Sequence, residues 1–177
     1  MAIAGSGTLR DETGFEALLD AVLGASRALV AVAARSLVDV ADDVTLVQYR
    51  VLVELAASGP QRLADLANGL GVDPSTATRM CDRLVRKGLV LRRRATADRR
   101  AVRVSLAPSG RDLVTEVTRR RRAQLATILE RLPDEDRRPV LAALRAFASA
   151  AGEVPEREWS LGWHLDLPVA PLKAKHG

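Results

Sequence analysis

The sequence predicts a mainly α-helical chain with one small β-hairpin. Three observations carry this. Apolar residues recur at helical spacing through most of the 177 residues. A turn at Asn68-Gly69-Leu70-Gly71 separates two short amphipathic helices. Soon after them, Val102, Val104 and Leu106 alternate with Ala101, Arg103 and Ser105, as a half-buried strand does.

Each element has its own justification. Residues 1–12 carry no strong pattern and are expected to fray. Residues 15–40 set Phe15, Leu18, Leu19, Val22, Leu29, Val32, Leu37 and Val40 at helical spacing. That helix is apolar over most of its surface, so it calls for cover by a partner chain. Asp20, Arg27, Arg35 and Asp39 interrupt the apolar run, which argues against a membrane span. Thr45-Leu46-Val47-Gln48 is a capping box that opens a helix to about Ala57. Ser58-Gly59-Pro60 ends it. Residues 62–70 form the next helix. Asp73 is an N-cap and Pro74 a first helical residue for the one after, which runs to about Lys87 and stops at Gly88. Residues 89–94 and 101–106 pair as strands around a tip at 95–100. A long helix follows from about Ser109 to Leu132. A last helix reaches about Ala151, and Pro139 leaves its start open between Asp134 and Pro139. Residues 153–177 read as an extended tail.

Charge is concentrated in the middle. Residues 61–111 hold twelve Lys/Arg against four acids, while the whole chain is only +5. Residues 1–60 are acidic, with eight acids against four bases. A polyanion would feel one face of this protein. The helix pair, its Gly turn and the basic hairpin together are the sequence form of a winged helix-turn-helix, over 45–108. Leu63, Leu66, Ala67, Leu70, Val72, Ala77, Met80, Cys81, Leu84 and Val85 form its apolar side. Ser75, Thr76, Thr78, Arg79, Asp82, Arg83 and Arg86 are left on the open face. Short hydroxyls reach phosphate or a base edge, and Arg grips guanine. A structural hairpin has no need of Arg92, Arg93, Arg94, Arg99 and Arg100 together. Double-stranded DNA is the expected partner, and Ser75, Thr76, Thr78, Arg79 and Arg83 are the expected reading residues.

The run resembles the MarR family of bacterial transcription factors. The resemblance rests on TLVQYRVLVELA, LADLANGLGVDPSTATRMCDRLVRKGLV, the wing RRRATADRRAVRVSL and the following Gly110, and it spans about 15–151. It implies a homodimer with interlocked first and last helices, so 15–40 and 109–151 become dimerisation helices flanking the winged unit. It also implies a pseudo-palindromic operator and repression. In the wing, Asp98 would orient Arg100 into the minor groove, with Arg99 a close competitor. Small aromatic acids often bind between the dimer helices and the DNA-binding lobe in this family. Arg121 falls on the apolar stripe of the long helix and could meet such a carboxylate, or pair with Glu16 or Asp20. Two positions depart from the family pattern. Ala107 replaces the usual capping Thr, leaving the cap to Ser109, and Pro139 sits in the last helix.

Other functions find less support. Only Cys81 is present, which excludes an internal disulfide, and His164 and His176 both lie near the C-terminus. No metal, cofactor or catalytic set is expected, and no enzyme. Cys81 invites a redox-sensor reading, but it lies on the apolar side, and peroxide-sensing relatives carry their cysteine in the first helix. A winged-helix protein-interaction module is the other alternative, and the basic wing argues against it. With no signal peptide in view, one domain over 1–177 in the cytoplasm is expected, and no membrane.

Overall fold

The computed structural model describes residues 8–41, 43–94, 102–153 and 159. Six helices and three strands appear among them. These are α1 (Thr8–Val38), α2 (Leu46–Ser58), β1 (Gln61–Arg62), α3 (Leu63–Leu70) and α4 (Pro74–Arg86). Then come β2 (Val90–Arg94), β3 (Val102–Leu106), α5 (Pro108–Leu129) and α6 (Asp134–Ala150). The mainly helical winged helix-turn-helix predicted from sequence is what the chain forms.

Local chemistry explains the helix ends. Thr45 and Gln48 make the expected reciprocal box, with Gln48 N–H donating to Thr45 Oγ1 at 3.2 Å and Thr45 N–H to Gln48 Oε1 at 3.4 Å. Gly71 closes α3 in the left-handed region at φ 65°. Leu66, Leu84, Val90, Val104, Val114 and Val117 pack with Leu52 and Leu55 of α2 into the core. α2 is therefore the beam on which the reading unit is built.

Three expectations need correction, and the open start of the last helix is settled. α1 begins at Thr8, inside the stretch expected to fray. Ser109 does not cap α5: Ala107 is the N-cap and makes no side-chain bond, while Pro108 opens the helix. Pro suits that position because the N–H it lacks would be unpaired anyway. Ser109 Oγ instead donates to Gly88 O at 2.6 Å, tying α5 to the end of α4. α6 begins at Asp134, with Pro139 inside it. Asp134, Glu135 and Asp136 in its first turn complement the helix dipole and offset the backbone donor lost at Pro139. Finally, Gln61 and Arg62 form a third strand, unforeseen because two polar residues carry no strand pattern.

The sheet is antiparallel in the order β1-β3-β2. Gln61 and Arg62 pair with Val104 and Arg103, and Val90 through Arg94 pair with Leu106 back to Val102. The alternation read from sequence is present, with Val104 and Leu106 buried and Arg103 exposed. Gly110 sits against the strand entry: a Cβ there would lie 2.1 Å from the Leu89 carbonyl oxygen.

The outer helices are barely covered. Val32 and Leu37 of α1 are buried, but Phe15 is 60% exposed, and Leu18, Leu23, Leu29 and Val30 are open as well. No residue of α6 is buried, and its Phe147 is 57% exposed. Residues Gly14–Val38 are also long and apolar enough to cross a membrane by length and composition, despite the charges that interrupt them.

Candidate nucleic-acid interface

The site is built on α4. Asp73 caps it, accepting from Ser75 N–H at 3.2 Å and Thr76 N–H at 3.1 Å. The hydroxyls of Ser75 and Thr76 donate to the same carboxylate at 2.5 and 2.8 Å. Those two hydroxyls hold the Asp73 carboxyl well below its usual range. The cap is therefore intact above the ordinary Asp value of 3.8 and fails only as pH falls through the depressed one. Thr78 Oγ1 donates to Pro74 O at 2.8 Å. All three predicted hydroxyls thus spend their protons on the helix's own first turns. Their lone pairs remain, so each can still accept from a base amino group.

The arginines supply the free donors. Arg79 and Arg83 are exposed, as predicted. Arg79 Nη2 donates to Thr76 Oγ1 at 3.2 Å, which lays that side chain towards the helix N-terminus. Arg83 lines a shallow cleft of about 320 Å³ with Arg86 and Lys87. Lys87 Nζ donates to the carbonyl and carboxylate of Asp43, pinning the end of α4 to the turn between α1 and α2.

Two residues outside the predicted set tie the helix to the hairpin. Arg92 Nη1 of β2 meets Asp82 Oδ1 of α4 at 2.8 Å. Asp82 is the single acid within α4, a signal that it has a dedicated partner. Which arginine that partner is depends on strand register, which the sequence leaves open. Asp98, Arg99 and Arg100 lie outside the described residues.

Arg121 lies over Tyr49, 5.7 Å from the ring centroid, and its buried Nε has no hydrogen-bond partner. Its expected pairing with Glu16 or Asp20 is not made. Arg120 instead reaches Asp39, just past the end of α1, at 3.5 Å and Glu116 at 2.7 Å. The α5 stripe faces inward as read from the sequence, with Val114 and Val117 buried and Arg121 turned onto Tyr49, and it is the neighbouring Arg120 that pairs with the end of the first helix. Arg119 and Arg120 together hold the Glu116 carboxyl down at about 2. Cys81 is fully buried, and burial pushes its thiol up to about 11. Trp159 packs against the core.

The sequence model of the MarR family matches residues 44–102, from the start of α2 to the hairpin. The HTH-type transcriptional repressor MdtR of Bacillus subtilis is 34% identical over 115 residues, covering 65% of this chain and 74% of MdtR. The crystal structure of RV1404 from Mycobacterium tuberculosis is 42% identical with a TM-score of 0.75, covering 80% of this chain and 96% of that one. A MarR family protein from Bacillus stearothermophilus is 27% identical with a TM-score of 0.68, covering 81% and 97%. A capped recognition-type helix bound to a basic hairpin, on a sequence matched from α2 through the wing, leaves one assignment: the chain belongs to the MarR family of transcriptional regulators.

Proposed function

We propose that this chain is a homodimeric repressor that binds a pseudo-palindromic operator. One observation carries the reading. The exposed face of α4 presents Arg79, Arg83 and Arg86 beside a hairpin whose Arg92 pairs with Asp82 of the same helix. A helix and a hairpin set side by side can enter a major groove and track the adjacent backbone together. Repression is supported by the likeness to MdtR, whose name describes a repressor. Arg79 and Arg83 read bases, Ser75, Thr76 and Thr78 support them as acceptors, and Arg100, set by Asp98 with Arg99 beside it, serves the wing. Selection of bound sequences from random DNA tests the reading. A two-fold repeated motif is expected, with half-sites roughly 10 base pairs apart centre to centre. Arg79→Ala should cost about 1–3 kcal/mol per site and relax one position of each half-site. Recovery of no motif would overturn the function.

A second copy of the chain covers α1, α5 and α6 in this reading. The apolar faces of α1 and α6 are too large to leave in water, and Glu16, Asp20, Arg27 and Arg35 suit a protein partner better than lipid. Sedimentation at micromolar concentration should give a dimer that does not float with phospholipid vesicles. A stable monomer, or co-flotation, would refute this. A cytoplasmic location goes with it.

Relief by a small aromatic acid is the finer part of the proposal. The unpartnered Nε of Arg121 and the unpartnered Oε1 of Gln124 lie one helical turn apart on α5 and are both buried. An aromatic carboxylate that weakens DNA binding by the wild type, and not by Arg121→Gln, would support it. Equal weakening of both proteins would remove Arg121 from the site.

Oxidation of Cys81 is not the switch in this reading. Its thiol is buried and its pKa raised, and both slow oxidation. Peroxide treatment should leave DNA affinity within about twofold for the wild type and for Cys81→Ala. Loss in the wild type alone, reversed by a thiol reductant, would make the protein a redox sensor.

A further inference from the structure

Beyond the recognition helix and the wing tip, we infer a second anion-binding surface: the outward face of the sheet, where Arg62, Arg103 and Arg93 stand side by side. The inference rests on the DNA-binding reading and deepens it. Arg62 of β1 pairs with Arg103 of β3, and Arg103 pairs with Arg93 of β2. Directly paired residues project on the same side of a sheet, and neighbouring strands lie roughly 4.8 Å apart. The three guanidinium groups therefore form one row across all three strands. All three are exposed.

No acid among the described residues neutralises the row, and none of its three arginines makes an ion pair there. Like charges directly opposite one another in a sheet are destabilising. Arg62 adds to the cost as the N-cap of α3, where the helix dipole favours an anion, and its side chain makes no capping bond. Asp65 is the acid in that first turn and does not pair with it. By contrast, Arg92 on the inward face has its acid in Asp82. The positive charge is relieved on one side of the sheet and left standing on the other.

An in-register row of unpaired guanidinium groups fits a regularly spaced polyanion, and the occupant we assign is the phosphodiester backbone of duplex DNA. The position says which part of the duplex. α4 packs on the inward side of β2, through Asp82 and Arg92, so the outward face looks away from the recognition helix. With α4 in the groove, that face meets backbone flanking the half-site. The row touches phosphate only, so it lengthens the footprint without reading sequence.

The test uses the full-length protein and duplexes selected from random DNA by the wild type. One duplex ends at the selected motif, and the other carries about 10 further base pairs of arbitrary sequence on each side. The wild type should bind the longer duplex more tightly and with a steeper salt dependence. The variant Arg62→Gln/Arg93→Gln/Arg103→Gln should lose that advantage and bind the short duplex as the wild type does. Each phosphate that the variant no longer neutralises flattens the slope of log K against log salt by about 0.9, so two per protomer flatten it by about 4 for a dimer. The corresponding triple Lys variant should keep most of the slope, because its charge is unchanged. Thermal melting of each variant distinguishes a weaker DNA grip from a damaged fold, since a folding defect would weaken both duplexes together. If the flanks make no difference to the wild type, or if the Gln variant keeps the full advantage, the row does not bind DNA. If the wild type shows no preference for the selected motif over scrambled DNA, the operator-binding reading itself fails.

Discussion

Raising monovalent salt from about 50 to about 200 mM is expected to weaken specific DNA binding by roughly 10³- to 10⁵-fold. The expectation follows from where the charge lies. Twelve Lys/Arg fall within residues 61–111, and Arg79, Arg83 and Arg86 are exposed on one helix. If each protomer neutralises about three to five phosphates, a dimer releases enough counterions to give a slope of roughly −5 to −9. The acidic residues 1–60 do not blunt this, because screening confines each charge to its own surroundings at these salt concentrations. Fluorescence anisotropy over a salt series measures the slope directly. A flat line would show that the basic face is not the DNA face.

Gly110→Ala is expected to destabilise the protein by about 3 kcal/mol or more. The added Cβ would lie 2.1 Å from the Leu89 carbonyl oxygen and 3.3 Å from Leu106 Cδ2. Backbone cannot move aside as a side-chain end can. The Leu89 oxygen also accepts the Ala107 N–H at 3.0 Å, so a shift there disturbs the start of both β2 and α5. Gly14→Ala is the control: nothing lies within 4 Å of its Cβ position, and Ala is the better helix former. Urea unfolding at fixed protein concentration should lower the midpoint for Gly110→Ala and leave it level or raised for Gly14→Ala. Equal midpoints would mean that α5 can slide away from Leu89 at little cost.

The contrast between these two glycines shows what a sequence exposes. Gly71 was legible because a left-handed turn between two amphipathic helices calls for glycine there. Gly110 could be matched to a family pattern, but its reason is an approach between α5 and Leu89 that only packing creates. The same divide runs through the site. Asp73 and Pro74 announce the start of α4 because capping is a local interaction. Arg79 and Arg83 fall on its open face because helical periodicity alone decides it. Asp82 with Arg92, Lys87 with Asp43 and Ser109 with Gly88 join separate elements, so no spacing rule finds them. Arg121 illustrates the error this permits. Its inward place on the α5 stripe was readable, but its partner was not: it lies over Tyr49, while Arg120 beside it reaches Asp39.

The two-residue strand β1 has a consequence for how the molecule opens. By pairing with β3, it joins residues 61–62 to residues 103–104, so that α3, α4 and β2 lie inside a loop closed by backbone hydrogen bonds. Such a closed segment opens as a unit, since freeing any one part exposes the core shared by the others. Amide hydrogens of α3, α4, β2 and β3 are therefore expected to exchange with solvent at a common, slow rate, as one cooperative block. Those of α6, where no residue is buried within the chain, belong to a separate and faster class whose protection depends on what covers it.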